Sequence, residues 1–155
     1  GWDTHHTPVE DARWALDQVA ERCGERLPTC LIGHSLGGRA ALLTAGGPEV
    51  RSVAALAPWV YPSDLPKGLS GQRILIVHGA KDRIASPARS AALAQRLSGR
   101  ASVAYVSVED GKHAMLGRHA LFDGLAAEFA SATLLGTSHG GPIARVMAGE
   151  AWLRV

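Results

Sequence analysis

Apolar residues in this 155-residue chain fall alternately into short unbroken runs and into three- and four-residue spacings. The first such spacing follows Thr7-Pro8-Val9-Glu10. There a capping hydroxyl, a proline suited to the first helical turn and a glutamate at the reciprocal position mark a helix start. Ala12, Leu16 and Val19, with Ala15 and Ala20 beside them, give that helix one apolar face to lay on a sheet and an end near Arg22. Pro28 resets the chain, and Cys30-Leu31-Ile32 reads as a short strand buried on both faces. Gly37 to Ala45 is then a helix of small residues able to approach a sheet closely.

The same unit recurs. Val53 to Ala57 and Ile74 to Val77 read as buried strands, punctuated by Pro58 and Gly79. Ser86-Pro87 opens a helix to about Leu97, a fourth strand spans Ala101 to Val106, and a last helix runs from about His119 to Leu135. Strands alternating with helices predict an α/β fold: a parallel sheet of about four strands with helices on both faces. One domain is expected over residues 1–135. Residues 136–155 read as a tail, a loop from Gly136 to Pro142 and a short helix from Ile143 to Leu153, with no function assigned.

Composition narrows the partners. With 46% hydrophobic and 19% charged residues the chain is globular in type, and a charge of +2 without a basic block or interleaved aromatics argues against nucleic acid. No run approaches the ~20 apolar residues of a membrane span. The only cysteines, Cys23 and Cys30, are in no zinc-ligand spacing and read as free core thiols. A start on Gly1 rather than Met fits a processed or excised piece, so location is not read from it.

Gly33-His34-Ser35-Leu36-Gly37 carries the candidate chemistry. A GxSxG match arises by chance in roughly one such chain in seven, but here it sits between a strand and a small-residue helix, which is the setting its chemistry requires. A sharp turn there strains the serine backbone, demands glycine beside it, and projects Oγ from the carboxyl edge of the sheet. A serine hydroxyl needs a base, and the base a third group to fix its tautomer. Asp82 after the third strand and His113 after the fourth supply them, all three residues falling past the carboxyl ends of neighbouring strands. Asp64, after the second strand, competes with Asp82 as the acid.

Leu31 to Gly38, His78-Gly79 to Asp82, and Gly111 to His113 together resemble the α/β-hydrolase fold family, in its small esterase and dienelactone-hydrolase-like branch. The likeness spans about Pro8 to Leu135. It implies Ser35 as nucleophile, Asp82 as acid, His113 as base and the backbone N–H of Leu36 as one oxyanion donor; dienelactone hydrolases proper carry cysteine where Ser35 stands. It implies no cofactor and no metal. The family has further strands and a loop ahead of the helix that starts here at Thr7, and no stretch of this sequence matches them. That loop supplies a second oxyanion donor, each donor being worth on the order of 10²–10³ in rate. The nucleophile strand is then expected to be an open apolar edge that pairs with another chain, as a homodimer or with a companion fragment.

The expected activity is hydrolysis of small or accessible carboxylic esters, rising with pH through the ordinary imidazole range near ~6.5. The alternative is a non-catalytic or weakly active fragment that docks a partner through its sheet edge. Only Val60 to about Gly71 is free to form a lid, so the site is read as lidless, walled by Trp59, Tyr61, Met115 and Leu116. His34 and His78 read as structural, His5 and His6 as a surface pair, Trp2, Trp14 and Trp152 as packing residues, and Arg39 as a solvated or helix-end charge.

Overall fold

A computed structural model describes residues 7–115, 117–137 and 140–155. In chain order the elements are α1 (Thr7–Cys23), β1 (Thr29–His34), α2 (Leu36–Thr44), β2 (Val50–Leu56), β3 (Arg73–Gly79), α3 (Pro87–Leu97), β4 (Ser102–Val108), α4 (His119–Leu135), α5 (Gly141–Met147) and β5 (Trp152–Arg154). The five strands form one parallel sheet in the order β1-β2-β3-β4-β5.

Alternation along the strands sends side chains to two cores. On one face Val53, Ala55, Ile74 and Ile76 meet Leu42 of α2, Ala45 just past its end, and Leu93 and Leu97 of α3. On the other, Ala54, Leu75, Val77 and Val106 meet Phe122, Leu125 and Phe129 of α4, with Ile143 of α5 closing the cluster. Burial on both faces explains why β2 and β3 are almost unbroken apolar runs. Each fully buried phenylalanine contributes about 1.5–3 kcal/mol relative to an exposed one.

The chain from Gly136 onward completes the sheet. Gly136, left-handed at φ 71°, ends α4; α5 stops at Met147, earlier than the helix expected to reach Leu153. Trp152–Arg154 instead adds a fifth strand, with Leu153 buried and its neighbours exposed. Tyr105 N–H donates to the Ala151 carbonyl at 2.8 Å and Val155 N–H to the Ser107 carbonyl at 2.9 Å, fixing that register.

Three expectations are corrected at the other edge. Helix α1 packs on α2 rather than on the sheet; of its apolar face only Val9 is buried, Val19 is 49% exposed and Trp14 stands in solvent. Among the described residues β1 pairs only with β2, and its Ile32 is 51% exposed, so it is not buried on both faces. Both cysteines are free thiols as read, but Cys23 is exposed at the end of α1 and only Cys30 packs against a core. Among the described residues no helix is long and apolar enough to cross a membrane.

Candidate functional site

Ser35 occupies the single step between β1 and α2, at φ 54° and ψ −118°. A non-glycine residue there costs on the order of 1–3 kcal/mol, which the surroundings must hold. They do so through the backbone: Ser35 N–H donates to the Leu56 carbonyl at 2.9 Å, and the Ser35 carbonyl accepts from Arg39 and Trp59 N–H, both at 3.1 Å. The glycine requirement is real but shifted by one position. A Cβ at Gly33 would lie 2.3 Å from the Gly37 carbonyl oxygen, and one at Gly38 would lie 2.9 Å from the Gly33 oxygen and 3.1 Å from Pro58; at Gly37 it would meet nothing. Backbone crossing at the turn therefore needs Gly33 and Gly38, and Gly37 is the unconstrained member.

A second close approach brings the other two side chains in. Gly79 at the end of β3 and Gly111 beyond β4 touch backbone to backbone, where a Cβ on Gly79 would fall 2.3 Å from the Gly111 carbonyl carbon. Lys81 N–H donates to the Gly111 carbonyl at 3.0 Å and Ala80 N–H to that of Val108 at 2.8 Å, so the loops carrying Asp82 and His113 are one unit. An exposed Lys81–Asp110 ion pair at 2.7 Å adds little, because solvent screens it.

These turns assemble a hydrogen-bonded chain. Ser35 Oγ lies 2.9 Å from His113 Nε2, and His113 Nδ1 lies 2.9 Å from Asp82 Oδ2. With Nδ1 protonated and donating to the carboxylate, Nε2 is free to accept from the serine. The His113 side chain keeps 16% of its surface, whereas the Asp82 side chain keeps none. Asp82 Oδ1 accepts from Ile84 and Ala85 N–H at 2.8 and 2.9 Å. Burial alone would raise this carboxyl; the hydrogen bond from His113 and the two backbone donors outweigh it and hold Asp82 below the usual carboxylate range.

Asp64 is elsewhere. It takes Arg39 Nε and Nη2 at 2.7 and 2.8 Å and the Tyr61 N–H at 2.8 Å, with all of the Arg39 and Asp64 side chains nearly buried. Arg39 is therefore a core ion-pair residue rather than a solvated charge. Tyr61, expected in the pocket wall, carries the Arg39 guanidinium 4.5 Å from its ring centre, which ties it to that pair. Trp59, half-buried, follows the peptide that binds the Ser35 carbonyl; Met115, at φ 56° in the turn after His113, packs against the α4-side core. Leu116, His5, His6 and Trp2 lie outside the described residues. Leu36 is the first residue of α2, so its N–H is among the four without an intrahelical acceptor, beside the serine.

Two histidines read as merely structural touch the chain. His34 Nε2 donates to the His113 carbonyl at 2.7 Å, with the two rings 5.1 Å apart, so the residue before the serine anchors the loop that brings the imidazole. His78 lies behind Asp82, 3.1 Å from Oδ2. Its spacing four residues before Asp82 was the one signal the sequence offered. Two concavities of about 290 and 490 Å³ lie against α1, lined in common by Arg13, Leu43 and Lys67; the larger also reaches Arg39 and Asp64, and neither includes Ser35, His34, His78, Asp82 or His113. Among the described residues no group of three or more His, Cys, Asp or Glu could hold a metal ion.

No protein-family pattern matches the chain. No curated protein matches it either. Solved structures do. The esterase domain of a Rhodothermus marinus protein superposes with a TM-score of 0.59 at 24% identity, over 77% of this chain and 67% of that one. Est1E from Butyrivibrio proteoclasticus superposes at 0.50 and 15% identity, over 63% and 58%; its complex with ferulic acid gives 0.55 and 16%, over 67% and 59%. This chain thus spans about three fifths to two thirds of the length of those proteins. At such identities the likeness shows the fold: a parallel sheet between helices, α/β-hydrolase-like in architecture.

Proposed function

We propose that this chain is a serine ester hydrolase working by acyl transfer to water. Ser35 Oγ attacks the ester carbonyl as His113 Nε2 takes its proton; the C–O bond to the alcohol breaks as His113 returns that proton to the leaving oxygen. Water then attacks the acyl-serine with the same base. Asp82 holds the imidazole and balances its charge while protonated, and the Leu36 N–H donates to the oxyanion. The observation that carries this reading is the Ser35–His113–Asp82 chain at 2.9 Å per link, set on a strained strand-to-helix turn. Esterase neighbours of the same fold favour ester substrates, and the small-esterase, dienelactone-hydrolase-like branch is the nearest family reading. Trp59, Tyr61 and Met115 are the proposed pocket residues within the described chain, and small or accessible acyl esters the class.

A fluorophosphonate probe tests it, because phosphonylation requires an activated serine. Mass mapping of the labelled protein is expected to place the adduct on Ser35; a folded protein that takes no label, or takes it elsewhere, defeats the proposal.

A second reading has its own support in the outer edge of β1, which no other described strand covers and where Ile32, with Leu36 of α2 nearby in sequence, is exposed, at 51% and 42% respectively. A strand edge with apolar neighbours pairs readily with a further strand. We propose that a second copy covers it. Size-exclusion chromatography is expected to show a dimer, and a monomer at every concentration removes the idea.

A further inference from the structure

Asp82 Oδ2 is shared by two imidazoles, and only one of them belongs to the proposed reaction. His78 Nε2 lies 3.1 Å from that oxygen and His113 Nδ1 2.9 Å from it. His78 is fully buried at the end of β3, and on its far side Nδ1 lies 2.9 Å from Ser90 Oγ, itself fully buried in α3. We propose that His78 is a positioning residue: with its proton on Nε2 it donates to Asp82 Oδ2, and Ser90, whose Oγ lies 2.9 Å from Nδ1 and 3.4 Å from the Pro58 carbonyl, supports that tautomer by giving its proton to the nearer Nδ1.

The count of lone pairs makes the case. A carboxylate offers about four acceptor sites. Ile84 and Ala85 N–H fill those on Oδ1, and His113 fills one on Oδ2. Without His78 the fourth would face a buried void, and the carboxylate could rotate or take a proton there. With it, turning the carboxylate out of its plane breaks hydrogen bonds on both oxygens, and the plane so held aims one oxygen at His113. Burial lowers the His78 pKa against the pull of Asp82, so the ring stays neutral and leaves the negative charge for His113 to use. A neutral donor orients the acid; a cation in the same place would compete for it.

The inference rests on the proposed roles of Ser35, His113 and Asp82, and two replacements separate it from them. Asparagine places its amide near the Nδ1 position and keeps only the Ser90 side, whereas glutamine reaches the Nε2 position and can still donate to Asp82. His78→Asn is expected to lower kcat on the order of 10- to 100-fold with KM unchanged, since His78 touches no substrate, and His78→Gln to recover most of that loss. In protein labelled with ¹⁵N-histidine, the His113 Hδ1 proton shared with Asp82 gives a far-downfield resonance. It is expected to shift or broaden in His78→Asn and to persist in His78→Gln.

Ser90→Ala removes one hydroxyl and is expected to weaken the resonance and kcat in the same direction, which covers the case in which His78→Asn does not fold. An unchanged resonance in folded His78→Asn or in Ser90→Ala overturns the inference, as does equal impairment of folded Asn and Gln variants. Activity that survives Ser35→Ala counts instead against the proposed function, and the resonance still decides the role of His78.

Discussion

Alanine at Ser35 is expected to lower hydrolysis of a short p-nitrophenyl ester by roughly 10⁴- to 10⁶-fold, and alanine at His113 to lower it as far. The two losses should not add. Oγ and Nε2 are 2.9 Å apart and act in one step, so once either is gone the other has nothing to accept from or donate to. The double variant is therefore expected to match the single ones, retaining only what the Leu36 N–H and binding supply. Initial rates corrected for spontaneous hydrolysis, compared across the four proteins, read this directly. A double variant worse than either single by the product of the two effects would mean that Ser35 and His113 work independently. Folding is not the confounder, because Ser35 is held through its backbone and loses only an oxygen.

How much of this was visible beforehand varied with the range of the forces involved. The ends of α3 and α4 are written locally. Ser86 accepts from Arg89 N–H and Pro87 fills the first turn of one, while left-handed Gly136 closes the other. The turn at Ser35 is local too, and a parallel sheet puts residues beyond the carboxyl ends of β1, β3 and β4, serine, aspartate and histidine in turn, at one edge, although β2 stands between the first two strands. What escaped depends on partners distant in sequence. Three residues of β5 are too few to show a period, and they become a strand only because β4 offers a free edge. The spacing of α1 marks an apolar face without saying what covers it, and α2 covers it only in part. Arg39 has the look of a helix-surface charge until Asp64, 25 residues on, closes round it. His78 needs Ser90 from another helix before its tautomer means anything.

Asp82 and Asp64 were rival acids in the sequence, and their replacement by asparagine is expected to separate them by opposite failures. In Asp82→Asn one oxygen becomes an amide carrying two donors, and placed toward His113 or His78 it faces an N–H that also wants to donate. His113 escapes by moving its proton to Nε2, the tautomer that cannot accept from Ser35. Loss of kcat by about 10⁴-fold is expected on that ground, with the fold retained.

Asp64→Asn leaves the serine and imidazole untouched but strips the charge from a buried Arg39 pair, at about 3–5 kcal/mol. Its melting temperature should fall while the rate per folded molecule holds. Acid unfolding adds a second contrast. Asp82 is held below its ordinary range in the folded chain, so as pH falls the unfolded chain takes up that proton first. Its contribution to stability is complete above roughly 3.9 and drains away as pH descends through the lower folded value. Asp82→Asn has no such group to titrate, and its stability should vary less with pH in that window. An Asp64→Asn protein that melts normally but hydrolyses poorly, beside an active Asp82→Asn, would transfer the acid's role to Asp64.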